Sequence, residues 1–303
     1  MIILTITKRI SFVLLALIIV PQLFAQDDYT WWNEKHGWET GDEPWFRQMN
    51  TAAAYFGPNA LPVPELREGL ISPYYEVELR PEMHLSTGDN TYDLYTSLQI
   101  PFKGIASFEI FLVPIEYYEM DTITRDERRA RSYDPTGTAG GDFWFGTNFQ
   151  ILKDKKILPD LIASFYFKTA SGTNLSNARY TDTPGYYMLV NMGKDIIKVS
   201  DVTVRAFMHL GTYIWHTQSN VNSQDDAIAY GFGVSAKYKK ILFRSVFTGY
   251  NGYLKDGDRP SVFRLQLGSN KDGFNWQLRY QLGIRDFDYS SYGVSLIYKW
   301  HFR

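Results

Sequence analysis

Acidic side chains in one part of this sequence and basic side chains in another occupy polar positions of an apolar–polar alternation, and those positions predict an acidic wall and a basic wall. Glu76, Glu78 and Glu82 alternate with apolar residues near the start of the patterned region. Arginines hold the corresponding positions later in the chain; they are Arg244, Arg264, Arg279 and Arg285. Carboxylates and guanidinium groups on facing walls can pair with one another. They can also bind a zwitterionic or anionic solute, so the pattern predicts either internal neutralisation or a solute-binding lumen.

A second group of residues has the side-chain types used in serine hydrolysis. It consists of His216, Ser219 and Asn220. Because His216 and Ser219 are three residues apart, they would point to opposite faces of a strand, and a nucleophile and its base must instead lie within hydrogen-bond reach. We therefore interpret these residues as the polar start of a loop and assign no catalytic residue. A lipid hydrolase is the lesser alternative.

Composition excludes several other kinds of chemistry. The chain contains 0 cysteines, so thiol catalysis, disulfides and thiolate metal sites are absent. Four of its histidines show no metal-ligand spacing with one another; they are His36, His84, His209 and His301. No phosphate-binding glycine loop is present. A net charge of -2 gives no electrostatic case for nucleic acid. We therefore expect no cofactor, no metal and no nucleic-acid partner.

The elements that must position the charged residues are strands. From residue 73 to residue 303, apolar residues recur with a period of two in about twelve segments, and most of these segments approach the 9 to 11 residues of a membrane strand. In one of them Ile228, Tyr230 and Phe232 alternate with Ala229 and Gly231. Aromatic residues make up 17% of the chain, which fits girdles at two membrane interfaces. The mean hydropathy of -0.28 fits strands whose two faces average out.

The last segment carries the most regular pattern. Every second residue from Tyr292 to Phe302 is apolar or aromatic, and the chain ends one residue later at Arg303. This segment resembles the closing strand of a Gram-negative outer-membrane β-barrel. The resemblance implies an all-β fold, a transmembrane antiparallel up-and-down barrel of about twelve strands. It also implies a location in the outer membrane of a Gram-negative bacterium, in contact with outer-membrane lipids.

The connections between the segments alternate in length, which supports the same fold. Residues 120–141, 170–185, 217–225 and 252–260 form long connections, whereas residues 103–104 and 239–240 form short turns. In bacterial barrels long loops are extracellular and short turns periplasmic. An even number of strands then places both ends of the barrel in the periplasm.

The first 72 residues lie outside the alternating pattern. Lys8 and Arg9 precede an apolar run over residues 10–20, and a small residue, Ala25, precedes a plausible cleavage site. These features predict a signal peptide over residues 1–25.

Residues 26–72 form a Trp-rich and Pro-rich arm without a strand period. Half of the 8 tryptophans are here; they are Trp31, Trp32, Trp38 and Trp45. The segment is too short to build its own core, so its tryptophans need burial elsewhere. The arm is expected to be either a periplasmic arm on the barrel rim or a plug within the lumen.

The expected function is a passive or plug-gated channel for a small polar or amphiphilic solute. The first alternative is a structural or assembly barrel that holds a periplasmic protein partner through the arm. A lipid hydrolase ranks behind both.

Overall fold

The structure of the protein is a computed structural model that describes residues 28–301. The predicted signal peptide over residues 1–25 and the end of the last predicted strand at Phe302 lie outside the described residues. None of the helices within the described range is long and apolar enough to cross a membrane.

The described residues form fourteen strands and two short α-helices, α1 and α2. The strands are β1 (Tyr75–Leu85), β2 (Asp89–Phe102), β3 (Ala106–Leu112), β4 (Glu116–Met120), β5 (Thr136–Ala139), β6 (Trp144–Leu152) and β7 (Asp160–Lys168). They continue as β8 (Gly185–Val199), β9 (Val202–His216), β10 (Gln224–Tyr238), β11 (Ile241–Asn251), β12 (Ser261–Ser269), β13 (Gly273–Arg285) and β14 (Ser290–Trp300). The helices are α1 (Thr30–His36) and α2 (Thr122–Glu127). Single 3-10 turns span Trp45–Gln48, Ala53–Tyr55 and Leu175–Asn177.

The sheet closes on itself. β1 pairs with β14 on one side and β2 on the other, and these pairings are antiparallel, like the others in the sheet. One part of β2 pairs with β3 and the other with β4. Pro114 lies between β3 and β4, where it removes a backbone donor and interrupts the ladder. We therefore count β3 with β4, and β5 with β6, as interrupted strands. The predicted twelve-stranded antiparallel barrel is confirmed, with two additional short strands.

The predicted division of side chains between two faces is also confirmed. In β10, Ile228 and Phe232 are 60% and 62% exposed, whereas Ala227 and Ala229 between and beside them are 2% and 0% exposed. The same alternation gives β1 an outer face with Leu79 and an inner face with Glu82. An apolar outer surface around a polar interior is the arrangement of a barrel that spans a bilayer.

The two ends of the barrel differ. At one end β1 begins, β14 ends, and connections such as residues 200–201 and 239–240 are tight turns; we call this the short-turn end. The opposite end carries residues 121–135, 169–184, 217–223 and 252–260 between strands. We call it the long-connection end.

The N-terminal arm runs from the long-connection end through the barrel. Near its beginning, Trp32 donates from Nε1 to the carbonyl of Arg129 at 3.1 Å, and Thr51 donates from Oγ1 to the carbonyl of Thr217 at 2.7 Å. Near its end, Gln150 Nε2 donates to the carbonyl of Gly69 at 2.9 Å, close to the short-turn end. We call residues 57–72 the luminal segment. The sequence left a periplasmic arm and a luminal plug open as alternatives. The described arm begins at the long-connection end and continues inside the barrel.

Candidate functional site

The candidate site is the barrel interior where the luminal segment meets the strand walls. The segment has no regular secondary structure over residues 61–68, because Pro62 and Pro64 lack backbone N–H groups and fix their own φ angles. A cavity of about 100 Å³ lies between the segment and the inner wall. Such a volume holds a few water molecules.

Arginines on the inner wall bind the carbonyl groups of the luminal segment. Arg264 donates from Nη2 to the carbonyl of Val63 at 2.7 Å and from Nη1 to that of Pro64 at 3.0 Å. Arg244 donates from Nη2 to the carbonyl of Leu66 at 2.6 Å. A buried carbonyl without a partner costs free energy, and these side-chain donors replace the ladder partners that the segment lacks.

The charged side chains of the segment pair with charges on the wall. Glu65 Oε1 lies 2.6 Å from Arg279 Nη2, and Glu68 Oε1 lies 3.2 Å from Arg244 Nε. Arg67 pairs with Glu109 on β3 and donates to Tyr166 Oη at 2.6 Å. The segment therefore supplies two negative charges to the arginine side of the interior and one positive charge to the opposite side.

The predicted carboxylates on β1 are neutralised mainly by Arg80 on the same strand. Arg80 Nη1 lies 3.0 Å from Glu78 Oε1, and Arg80 Nε lies 3.0 Å from Glu82 Oε2. Glu82 also faces the arginine wall, with Oε1 at 3.6 Å from Arg279 Nε. Glu76 lies farther toward the short-turn end and pairs with Lys299 at 3.3 Å. The structure thus joins Glu82 to Arg279 and keeps Glu76 and Glu78 apart from the predicted arginines.

Arg285 does not line the interior, so its predicted luminal position is wrong. Its side chain is 56% exposed and lies 3.7 Å from Asp286. A β-bulge causes the difference. Ser261 pairs with Arg285 and Val262 with Gly283, which leaves Ile284 as an additional residue in β13. A bulge shifts the alternation of the residues beyond it. Arg279 precedes the bulge in β13, and Arg244 and Arg264 lie on other strands. The bulge therefore does not change the faces on which these three side chains lie.

A row of aromatic rings forms the other side of the interior, and the sequence analysis assigned no role to it. Successive ring centroids in the row are 4.9, 5.8 and 4.9 Å apart. The row consists of Tyr166, Tyr187, Tyr213 and Tyr250. Leu61 and Val63 of the luminal segment belong to the same buried cluster. The signal in the sequence was that these tyrosines occupy inward positions of the alternating pattern.

The start of the arm surrounds Arg131 with aromatic rings at the long-connection end. The distances from Arg131 Cζ to the four ring centroids are 4.3, 5.4, 4.8 and 5.3 Å, for Tyr29, Trp32, Trp38 and Trp45 in that order. Arg131 Nη2 also donates to Asn33 Oδ1 at 3.0 Å. Cation–π contacts of this kind stabilise an arginine within reach of ring faces. We call this group the arm cage.

His216, Ser219 and Asn220 lie near one another at the end of β9, but they form no hydrolytic arrangement. His216 Nδ1 accepts from the amide of Gln218 at 3.2 Å, and Ser219 Oγ accepts from the amide of Val221 at 3.2 Å. Asn220 bonds to Glu43 of the arm. Among the residues that the structure describes, no hydrogen bond joins His216 to Ser219.

Comparison with known proteins connects this geometry to a fold. No protein-family model matches the chain, and no curated relative matches it. An outer membrane channel from Pseudomonas putida F1 is similar in structure, with a TM-score of 0.51 and 9% identity over 78% of this chain and 99% of that one. A NanC porin gives a TM-score of 0.47 and 13% identity over 74% and 100% of the two chains. The translocator domain of the autotransporter NalP from Neisseria meningitidis gives 0.43 and 11% over 77% and 91%. The likeness to the outer membrane channel shows the fold alone, an antiparallel β-barrel.

Proposed function

We propose that the protein is a channel of the Gram-negative outer membrane, closed by its own luminal segment, and that it passes a small amphiphilic solute with an acidic group. The observation that carries the proposal is the nature of the contacts between the segment and the wall. Three wall arginines bind carbonyl or carboxylate oxygens of the segment. The segment also buries Leu61, Val63 and Leu66, but its backbone is held by side-chain donors that water can replace.

The luminal segment can leave without breaking a sheet ladder. Its carbonyls accept hydrogen bonds from side chains of the wall. Water can replace such donors when the lumen fills, and charged wall residues are compatible with a hydrated pore. For these hydrogen bonds, release exchanges protein partners for water at a small net free energy per bond. Exposure of the buried side chains of Leu61, Val63 and Leu66 opposes release.

The charges of the segment indicate the preferred solute. When Glu65 and Glu68 leave, Arg279 and Arg244 lose the carboxylates that they contact at 2.6 and 3.2 Å. Arg264 loses two carbonyl acceptors at the same time. An acidic group on a solute can replace these oxygens. The tyrosine row faces the apolar residues Leu61 and Val63 of the segment, so an apolar part of the solute fits that side.

Export by a signal peptide and contact with outer-membrane lipids belong to this proposal. The alternative is an assembly barrel in which the arm holds a periplasmic protein. That alternative predicts a barrel without conductance in any variant, and loss of a co-purifying protein when the arm is deleted.

The test is single-channel conductance in planar bilayers with three refolded forms. They are the mature chain, a form without residues 26–56, and a form without residues 26–70. The second form is the matched control, because it loses the arm cage and keeps residues 57–72. We expect frequent steps only from the form without residues 26–70. Absence of steps from all three forms, despite correct barrel folding, would refute the channel.

A further inference from the structure

Three aspartates converge at the long-connection end, away from the lumen contacts described above. Asp225 lies at the start of β10, and Asp256 and Asp258 lie in the connection between β11 and β12. One carboxylate oxygen from each lies within 4.8 Å of the others. Asp225 and Asp258 are 1% and 0% exposed. Asp256 is less buried than the other two. Negative charges this close repel one another, so the group needs a shared proton or a positive partner.

Each aspartate leaves an oxygen without a hydrogen-bond donor. Asp225 Oδ1 accepts from the amide of Tyr253 at 3.2 Å, and Asp258 Oδ2 accepts from the amide of Lys255 at 2.9 Å. The remaining atoms, Asp225 Oδ2, Asp256 Oδ1 and Asp258 Oδ1, are buried and have no hydrogen-bond partner. Buried polar atoms normally have partners. Three such atoms in one group indicate a ligand that binds oxygen.

The only cationic side chain paired with this group in the described residues does not satisfy it. Arg259 Nε lies 3.7 Å from Asp258 Oδ1, beyond hydrogen-bond distance, and it has no hydrogen bond of its own. Burial raises the pKa of Asp256, and the neighbouring Asp258 carboxylate raises it further. One distant guanidinium therefore leaves net negative charge among the three carboxylates.

The backbone beside the aspartates has no room for a side chain. A Cβ atom at Gly252 would overlap Asp258 Oδ2 and would lie 2.6 Å from Asp225 Oδ2. The amide of Gly252 donates to the carbonyl of Asp258 at 2.9 Å, which closes the connection around the carboxylates. Glycine at this position lets the carboxylates of two separate elements approach one another.

We propose that Asp225, Asp256 and Asp258 bind a calcium ion. The ligands are oxygen only, and calcium binds oxygen at about 2.3 to 2.6 Å in irregular geometry, with water completing the coordination. Two ligands of such an ion lie at most about 5 Å apart, and the three carboxylate oxygens lie within 4.8 Å of one another. Magnesium demands near-octahedral geometry and gives up its water reluctantly, so a buried site in an irregular connection favours calcium.

The ion would fasten the connection to which the arm binds. Asn50 Nδ2 donates to the carbonyl of Asp256 at 2.8 Å, and the amide of Ala54 donates to the carbonyl of Gly257 at 3.1 Å. Calcium that orders residues 252–260 therefore also orders residues 50–54 of the arm. This coupling concerns the docking of the arm and does not depend on conductance.

The test uses the full mature protein, refolded in detergent and freed of divalent ions with a chelator. Isothermal titration with calcium chloride should show one site per chain, with magnesium at least tenfold weaker. Asp256→Asn should weaken calcium binding at least tenfold. Asp226→Asn is the matched control, because this neighbouring aspartate is exposed on the outer face of β10, and it should bind calcium like the unmodified protein.

A second measurement tests the coupling in the same samples. Hydrogen exchange of residues 50–57 should slow when calcium is added to the unmodified protein and stay unchanged in Asp256→Asn. Heat-modifiable migration in gels verifies that each variant forms a barrel.

The site would be overturned if the folded protein bound no calcium, or if Asp226→Asn lost as much calcium affinity as Asp256→Asn. Calcium binding without any change in exchange would overturn the coupling alone. Neither result depends on whether the barrel conducts.

Discussion

Glu65 of the luminal segment and Arg279 of β13 form an ion pair inside the barrel, with Oε1 and Nη2 2.6 Å apart. The same guanidinium has its Nε 3.6 Å from Glu82 Oε1 on β1. Arg279 is therefore shared between a carboxylate of the wall and a carboxylate that can depart with the segment. Glu82 keeps a countercharge near Arg279 in the open barrel, so release does not leave an isolated buried cation.

We expect Glu65→Gln to favour release of the luminal segment. The variant removes the charge that attracts Arg279 and Arg264 while it retains nearly the same volume. Because the Glu65 side chain is 42% exposed, the loss in unfolding free energy should be about 1 kcal/mol or less. Conductance steps should become more frequent than in the unmodified protein. Glu119→Gln, on an exposed position of β4, is the control, and an equal effect from it would contradict this role of Glu65.

Arg131→Ala should release the start of the arm from the long-connection end. The side chain contacts four aromatic rings, and a cation–π contact contributes roughly 0.5 to 2 kcal/mol. Hydrogen exchange of residues 30–48 should therefore accelerate at least tenfold. Lys103→Ala, in a turn at the short-turn end, should leave that exchange unchanged. Unaltered exchange in Arg131→Ala would mean that the other contacts of the arm suffice to hold it.

The inner and outer faces of the strands were predictable, because side chains alternate between the two faces and the two faces meet environments of opposite polarity. In β10 the alternation of apolar and polar residues from Ile228 to Tyr238 determines on which face of the sheet each side chain lies. The strand count of twelve followed from the same pattern. The short strand β5 was assigned to a long connection, and most of β4 was assigned to no element, since β4 alternates over only five residues.

The errors at the candidate site have local causes that the alternation does not reveal. Arg285 was placed in the lumen because a uniform period was continued through Ile284, the additional residue of a bulge. The path of the luminal segment depends on ion pairs between residues more than 200 positions apart, such as Glu65 and Arg279. A segment without apolar–polar periodicity contains no local sequence signal for contacts between residues so far apart in the chain.

Docking of the arm should weaken as the pH falls below about 6.5. Burial lowers the pKa of His36, and the nearby Arg129 lowers it further. A histidine whose pKa is lower in the docked state binds fewer protons there than in the released state, so docking is strongest at neutral pH and declines on acidification. Protection of residues 30–48 from hydrogen exchange, measured relative to the intrinsic exchange rate at each pH, should fall between pH 7 and pH 5. His36→Gln should remove part of this pH dependence, and an identical profile in that variant would exclude His36 as its source.

Anion preference of the open barrel should depend on the arginines that the luminal segment covers. In the form without residues 26–70, Arg264 and Arg279 lack the carbonyl and carboxylate oxygens that they contact in the closed barrel. Positive charge on a pore wall raises the local concentration of anions. Reversal potentials in a salt gradient should therefore indicate anion selectivity in this form.

The double variant Arg264→Ala and Arg279→Ala should shift the reversal potential toward cation selectivity. Arg285→Ala removes the same charge from an exposed position outside the lumen, and it should leave selectivity unchanged. An equal shift from Arg285→Ala would assign the selectivity to the rim of the barrel and would contradict a luminal anion path.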